Sequence, residues 1–372
     1  MSKFNYEIGG QKFVMKDYGN TLNQQFVLLS EYFLANKIFN RSAFCREAGS
    51  YFDTHTGDLA THNSFFEGFT PIWQVLLRTG RLLDAYWVWE LATECATEWE
   101  RTNPTQRIHK GTPYYFWGMT AVLGGDLDRG FLLMHQALSE DVQLTGLPVP
   151  HTPAVAFATL DYQKQDQAFR SKVQEIAEFL GSALETYRKT RNRALTIEQF
   201  RSNLLQSADL LAVAFNFVFI LFRLHMLIKN VESVVRRNDF AALLETNLLF
   251  NLCLVIDATI CNKNRRKRRF IDHAEFLSSA AGLSISHPQL TEINTAFNND
   301  FPSMVGKLLS GKFVFKDGQV LSESGIDLSL AYGFRNFGAH KVEGFPIVYQ
   351  NFEEIAQRLM DVLFLALECL YI

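Results

Sequence analysis

The chain has 372 residues, of which 48% are hydrophobic and 20% are charged, and its formal net charge is −3. This length is enough for two or three domains, and the hydrophobic content excludes wholesale disorder. The charge excludes a general polycation, so any contact with nucleic acid must use a local basic patch.

The cysteines and the apolar segments favour a reduced, cytoplasmic protein without membrane contact. The five cysteines are odd in number and no two have the C-x-x-C spacing, which argues against a disulfide framework and a zinc knuckle. The N-terminal segment MSKFNYEIGGQKF has no apolar core of a secretory signal. The most apolar stretch, Leu210–Phe222, has 13 residues and contains Asn216. It is too short to span a bilayer and is predicted to be a buried helix.

The periodicity of the sequence predicts a mainly α fold with one or two small β-hairpins. Residues 3–15 alternate apolar and polar side chains around a Gly-Gly pair, which is typical of a hairpin. From about residue 20 the pattern is helical almost throughout. We expect a hairpin-like segment at 1–20, helical hairpins at 21–145, connecting helices at 146–195 and a helical bundle at 196–372.

Two segments in the first half of the chain share one pattern. They are LLRTGRLLDAYWVWELA (76–92) and AVLGGDLDRGFLLMHQAL (121–138), which align on Gly80 and Gly125. A small residue follows each glycine after five and after twelve positions. The glycine permits a tight turn, and the small residues let two helices approach closely. The pattern therefore predicts a repeated helical hairpin.

This pattern resembles the tetratricopeptide repeat over about residues 60–141. The two glycines are 45 positions apart, whereas the family repeats at about 34 residues, so we expect an expanded loop within ERTNPTQRIHKGTP. The resemblance implies that the region binds a protein partner or a trigger. The alternative is a generic stack of helical hairpins without a ligand.

The second half is predicted to be a bundle that ends in an amphipathic helix. Beyond the three prolines of TGLPVPHTP, the pattern predicts helices over about 154–190, 197–237, 240–260 and 326–337, and a last helix that follows Asn351 as its cap. KFVFKDGQVL is typical of a hairpin that turns at Asp317 and Gly318. The apolar stripe of the last helix offers a surface for burial against other helices.

One segment of the bundle is strongly basic. NKNRRKRRF carries six cationic residues in seven positions, namely Lys263, Arg265, Arg266, Lys267, Arg268 and Arg269. Such a cluster can bind the backbone of a nucleic acid. A localisation signal and a solvated loop are the alternatives.

The stretch LAYGFRNFGAHKVEGF contains the candidate catalytic residues. It places Arg335 and Asn336 shortly before His340. In an unbroken helix, residues five apart point about 140° away from each other. Gly338 can adopt a left-handed conformation and end the helix after Phe337. His340 would then fold back toward Arg335.

Two other arginine-to-histidine spacings lack this context. Arg129 and His135 lie in one predicted helix without a break, about 120° apart, as on an ordinary helix surface. Arg266 and Arg268 precede His273 near a predicted helix start, but the remaining residues of the pattern are missing there. Asp257 also stays open, either as a partner of Arg335 or as an acid that faces water, and we leave it out of the site.

Before a final helix, FRNFGAH resembles the signature of the HEPN ribonuclease superfamily, which has an arginine, a polar residue that is often Asn, and a histidine a few positions later. Arg335, Asn336 and His340 match that signature, and the resemblance covers about residues 196–372. It implies an endoribonuclease that uses no metal or cofactor. It also implies a homodimer formed through the bundle and a role in bacterial antiphage defence or as a toxin.

These residue types suit RNA cleavage in which the 2′-hydroxyl attacks the adjacent phosphate. Histidine exchanges protons near neutral pH, and arginine holds the negative charge of the phosphorane. Asparagine orients the phosphate or the histidine, and the basic segment would bind the RNA. The expected products are a 2′,3′-cyclic phosphate and a 5′-hydroxyl. The rival interpretation is a non-catalytic helical scaffold with an inactive bundle.

Overall fold

In a computed structural model, the structure describes residues 2–55, 59–147, 151–231, 239–265, 269–338 and 345–372. The described chain is mainly helical with a two-stranded antiparallel sheet, which confirms the predicted fold class. It divides into two compact units, residues 1–155 and 156–372. Residues 156–195, predicted to connect two regions, therefore lie in the second unit.

The first unit begins with a hairpin and continues with paired helices. Its elements are β1 (Lys3–Ile8), β2 (Gln11–Lys16), α1 (Asn20–Ala35), α2 (Arg41–Asp53), α3 (Leu59–Glu67), α4 (Thr70–Arg78), α5 (Leu82–Thr102), α6 (Gly111–Leu123) and α7 (Leu127–Thr145), and α8 (Pro153–Ala158) spans the boundary between the units. In the sheet, Lys3 pairs with Lys16 and Ile8 with Gln11. The turn between the strands has two glycines with positive φ, as tight hairpins require.

The two predicted hairpins turn in the same way. Gly80 and Gly125 have φ of 72° and 85°. The next residue donates its backbone N–H to the carbonyl five positions earlier, at 2.8 Å from Arg81 and 3.0 Å from Asp126. This is the Schellman arrangement of a helix that ends at glycine. Both glycines are therefore needed for their conformation.

The small residues of the second hairpin allow α6 and α7 to touch through their backbones. A Cβ on Gly118 would lie 2.9 Å from the carbonyl oxygen of Gly130, and a Cβ on Gly130 would lie 3.1 Å from that of Gly118. Such distances are shorter than real Cβ contacts, so neither position accepts a side chain without a shift of the backbone. The connection between α5 and α6 is longer than the two glycine turns and covers residues 103–110.

The second unit is a bundle around α18. Its helices are α9 (Gln167–Arg191), α10 (Ile197–Phe200), α11 (Leu211–Val231), α12 (Asp239–Lys263), α13 (Phe270–Ala280), α14 (His287–Asn299), α15 (Phe301–Leu309), α16 (Glu323–Gly338), α17 (Pro346–Gln350) and α18 (Phe352–Tyr371). A π-helical turn occupies residues 201–205, and short 3-10 turns occupy residues 162–164 and 208–210. A single bridge between Val314 and Val320 marks the second predicted hairpin.

Two long predicted helices are interrupted in the structure. The helix expected over 154–190 breaks after α8, where Leu160 has a φ of 53°, and resumes at α9. Asp166 begins α9 by accepting a hydrogen bond from the backbone of Ala168 at 2.9 Å. The helix expected from 197 breaks at residues 206–210. Local polar caps offer the backbone an alternative to helix, and an apolar repeat alone does not reveal this.

The apolar stripe of α18 is buried inside the second unit. Ile355, Leu359, Val362 and Leu363 are all fully buried. They pack against neighbouring helices, of which α12 and α16 make the most extensive contacts. The stripe is therefore buried against other helices of the same unit, and these side chains are not available to a second copy of the chain.

Two helical stretches of the second unit, Ala208–Lys229 and Leu243–Lys263, are long and apolar enough to cross a membrane by length and composition. Each is longer than the 13-residue apolar run noted in the sequence. About half of each stretch is buried in the protein, and core helices of this kind meet the same two criteria.

Candidate functional site

The last turn of α16 holds two of the three candidate catalytic residues. Arg335 and Asn336 are adjacent there, and α16 extends through Gly338, one residue beyond its predicted end. His340 lies outside the described residues. Three residues of the basic segment, Arg266, Lys267 and Arg268, also lie outside them.

Arg335 is held by one carboxylate and two aromatic rings. Its Nε donates to Oδ2 of Asp257 at 3.3 Å. Its guanidinium carbon lies 5.7 Å from the ring centre of Phe250 and 5.9 Å from that of Phe270. The side chain remains 25% exposed. The rings and the carboxylate orient the cation, and the exposed part can still reach a phosphate.

Asp257 connects Arg335 to a buried histidine. Its second oxygen, Oδ1, lies 2.6 Å from Nδ1 of His273, and His273 is only 2% exposed. The histidine of the second arginine-to-histidine spacing therefore faces the interior. Asp257, which the sequence left open, is the partner of Arg335. As the only acid in the apolar run NLLFNLCLVIDATI, it carried a signal that spacing alone did not resolve.

Asn336 and Arg335 contact different neighbours. Its Nδ2 donates to Oδ1 of Asn294 on α14 at 3.2 Å. Burial raises the pKa of Tyr332, and a hydrogen bond from Asn336 partly offsets this effect. The phenol of Tyr332 is therefore protonated at neutral pH. The asparagine is thus fixed by groups on α14 and α16.

A small polar pocket lies beside Asn336. Its volume is about 250 Å³, and its lining residues come from the start of α13, from α14 and from α16, namely Arg269, Phe270, Ile271, Asn294, Asn298, Tyr332 and Asn336. Sequence reasoning missed the two α14 asparagines and Tyr332. The available signal was their spacing, since Asn294 and Asn298 share one helix face and Tyr332 and Asn336 share another.

The described residues of the basic segment lie in two different surroundings. Lys263 lies over the ring of Tyr371 at 4.3 Å. Arg265 donates to the backbone oxygen of Asn262 at 3.1 Å. Arg269 instead lines the pocket and is 71% exposed. Among these three cations, Arg269 alone adjoins the candidate site.

Three half-buried side chains near the pocket have the spacing of metal ligands. Ligand atoms of Asp272, Glu275 and His287 lie within 4.8 Å of one another. Asp272 already accepts two hydrogen bonds from Arg269, at 3.1 and 3.2 Å. Glu275 accepts the backbone N–H of His287 at 3.2 Å. These contacts account for the cluster, and we assign no metal to it.

Chemically, the site combines a reachable cation with hydrogen-bonding amides. The guanidinium of Arg335 can bind an anionic oxygen, and the amides can bind polar groups beside it. A guanidinium and an amide are not acid–base catalysts at neutral pH, so proton transfer requires a further group. In comparisons of the chain with family models, with curated proteins and with solved structures, no match was found.

Proposed function

We propose that the second unit is a metal-independent endoribonuclease of the HEPN type, which cleaves RNA to a 2′,3′-cyclic phosphate and a 5′-hydroxyl. The observation that carries the proposal is the environment of Arg335, which is oriented by its neighbours and partly exposed. One carboxylate contact at 3.3 Å and two rings orient it, a quarter of its side chain is exposed, and its neighbour Asn336 lines a polar pocket.

In this mechanism, Arg335 binds a non-bridging oxygen of the scissile phosphate and stabilises the charge that develops on the phosphorane. His340 removes the proton of the 2′-hydroxyl or donates one to the leaving 5′-oxygen. Asn336 holds the RNA strand in place next to Arg335. Asp257 is a positioning residue, because it fixes the guanidinium without reaching the substrate.

The proposed reaction needs an acid and a base, whereas each chain offers one motif histidine. We therefore propose a twofold homodimer in which two copies of His340 serve one cleft, as the resemblance implies. If each cleft needs Arg335 from both chains, active protein mixed with excess Arg335→Ala protein under exchange conditions loses specific activity roughly as the square of the active fraction. A linear fall would show that each chain acts alone, and would leave the ribonuclease proposal standing.

We also propose a biological setting, namely antiphage defence or toxin activity in the cytoplasm, with the first unit docking a protein partner or trigger. Expression of the intact chain should slow growth of the host, and His340→Ala should relieve the effect. Growth that is equally slow with both proteins would contradict this role.

The test of the catalytic proposal is cleavage of single-stranded RNA in the presence of EDTA. His340→Ala should lower the rate by at least about 100-fold, which is the usual size of a general acid–base contribution. His135→Ala is the matched control, because His135 is exposed on a helix and follows Arg129 with the same type of spacing. Undiminished cleavage by His340→Ala would remove the motif from the mechanism.

The scaffold interpretation has one observation in its favour. An arginine that pairs with a carboxylate, as Arg335 does with Asp257, can serve stability alone. If the chain is a scaffold, the wild-type protein should not cleave RNA. Arg335→Ala should then lower the free energy of unfolding. RNA cleavage by the wild-type protein and the stability of Arg335→Ala therefore distinguish the scaffold from the ribonuclease.

A further inference from the structure

The pocket beside Asn336 has two facing polar walls. Asn294 and Asn298 lie four residues apart on α14, and Tyr332 and Asn336 lie four residues apart on α16, so each pair shares one helix face. The helices are very close at this point, since a Cβ on Gly333 would lie 2.1 Å from a ring atom of Phe297. The amide groups on the two helices therefore meet, as the 3.2 Å hydrogen bond from Asn336 to Asn294 demonstrates.

An aromatic ring and a cation complete the pocket. The ring of Phe270 packs against that of Tyr332, with centres 5.8 Å apart and planes at 27°. Arg269 lines the pocket with its exposed side chain. Both rings are buried, so the surface that can stack on a flat ring is the exposed guanidinium plane of Arg269, while the amides can bind the polar edges of such a ring.

The size of the pocket limits its occupant to a small group. Its volume of about 250 Å³ is just below the ~300–1,000 Å³ of pockets that enclose a drug-sized molecule. A single base fits this description, whereas a stacked pair of bases or a duplex does not. Phe270 contacts both the pocket and the Arg335 guanidinium. A base in the pocket would therefore lie next to a phosphate on Arg335.

We propose that this pocket binds one nucleobase of single-stranded RNA, that of a nucleotide flanking the scissile phosphate. The inference rests on the proposed ribonuclease function and adds substrate selection to it. An asparagine amide donates one hydrogen bond and accepts another, which matches an amino group beside a ring nitrogen, as in the pairing of asparagine with adenine. Uracil presents a ring N–H beside a carbonyl, which matches the same amide in the reverse orientation, so the amide type alone does not select a base. The fixed positions of the amides in the pocket should favour one base over the others.

The first experiment maps the ends of the cleavage products from an RNA of mixed sequence. Wild-type protein should cut preferentially next to one of the bases, and Asn298→Ala should lose that preference. Asn299→Ala is the matched control, because Asn299 is an exposed neighbour that does not line the pocket. Asn298→Asp keeps the size of the side chain but cannot donate, and should also lose the preference. Thermal unfolding of each variant excludes a general loss of structure.

The second experiment measures binding without cleavage. Short 2′-O-methyl oligonucleotides of adenine, cytosine or uracil lack the nucleophile, and fluorescence anisotropy reports their affinity. The preferred oligonucleotide should bind about tenfold more tightly than the least preferred one, and abasic backbones should bind at least about fivefold more weakly than the preferred one, as loss of base stacking predicts. Asn298→Ala should remove the discrimination between the bases.

The outcomes separate this inference from the function on which it rests. Cleavage without any base preference, together with equal binding of all the oligonucleotides, overturns the pocket and leaves the ribonuclease standing. Base discrimination in binding that Asn298→Ala removes, without cleavage of RNA by any protein, supports the pocket and overturns the ribonuclease. Preferences that survive in both Asn298 variants overturn the pocket.

Discussion

Two of the arginine–carboxylate pairs in the second unit differ in geometry. Arg191 contacts Asp327 through two hydrogen bonds of 2.6 and 3.0 Å and is 9% exposed. Arg335 contacts Asp257 through one hydrogen bond of 3.3 Å and is 25% exposed. The first guanidinium is committed to the protein, whereas the second is oriented and still within reach of a ligand. Equal residue types thus serve structure in one place and are available for chemistry in the other.

The Arg191 cluster is what holds the helix that carries Arg335. Arg191 belongs to α9 and Asp327 to α16, and Nη2 of Arg191 lies 3.1 Å from Oδ2 of Asp361 on α18. Arg358, also on α18, donates to Asp327 at 2.9 Å. Three helices therefore meet at buried charges that satisfy one another. Loss of one member leaves its buried partners with fewer opposite charges around them.

The largest effect is expected from Arg191→Ala. It should lower the free energy of unfolding by about 3–5 kcal/mol, because the buried Asp327 would lose both hydrogen bonds from Arg191 and retain the one from Arg358. Denaturant titration measures the change. Arg188→Ala is the control on the same helix, where a half-exposed pair with Glu185 at 3.2 Å is worth about 1 kcal/mol or less. Equal losses in the two variants would erase the contrast between the clusters.

Arg335→Ala should give the opposite pattern. We expect the rate of RNA cleavage to fall by about 100- to 1,000-fold, since one donor to the transition-state charge is removed. The free energy of unfolding should change by about 1 kcal/mol or less, as for a partly exposed ion pair. Single-turnover kinetics and denaturant titration on the same preparation test both parts. A loss of stability as large as that of Arg191→Ala would favour the scaffold.

Asp361 makes the structural cluster sensitive to pH. Burial, and then the negative charge of Asp327, raise the pKa of Asp361 from 3.8 to about 7. The folded protein therefore keeps a proton that the unfolded chain releases near pH 4. The contribution of this group to stability is complete below the unfolded pKa and is lost as the pH rises through about 7.

Asp361→Asn should remove this dependence while it keeps an acceptor for the 2.7 Å hydrogen bond from Gln357. Relative to the wild type, the variant should gain about 1–3 kcal/mol of stability between pH 5 and pH 8, since one pKa unit corresponds to about 1.4 kcal/mol. Unfolding titrations at several pH values give the difference between the proteins. Parallel curves would show that Asp361 does not titrate in this range.

Sequence reasoning did best where geometry depends on neighbours along the chain. The turns at Gly80 and Gly125 follow from the need for positive φ, and the contact of α6 and α7 follows from small residues at helical spacing. These are local requirements, and a single sequence contains them. The mainly α fold class was predicted for the same reason.

The surroundings of Arg335 were not predictable in this way. Asp257 and Asn294 lie 78 and 42 positions before their partners Arg335 and Asn336. Such pairs depend on how α12 and α14 pack against α16, and periodicity does not specify the pairing. The sequence singled out Arg335 and Asn336 as candidates, while the packing determined which residues hold them. His340 stays a prediction, since it lies outside the described residues.

The smallest effect concerns the two ends of the basic segment. Arg269 lines the pocket, whereas Arg265 is bound to Asn262 and lies 3.6 Å from a carboxylate oxygen of Asp209. A phosphate contact by Arg269 should release about one counterion. Arg269→Ala should therefore reduce the slope of log affinity for RNA against log salt by about 1. Arg265→Ala should leave the slope nearly unchanged, because Arg265 does not line the pocket.

Salt titrations of a 2′-O-methyl oligonucleotide measure both slopes without cleavage. Equal reductions in the two variants would mean that the whole segment binds the backbone, and the distinction between its ends would be wrong. No reduction in either variant would remove Arg265 and Arg269 from the RNA path. A reduction for Arg269→Ala alone would place the strand at the start of α13, beside Asn336. It would thereby link the exposed cation of the pocket to Arg335 and set both apart from the buried Arg191 cluster.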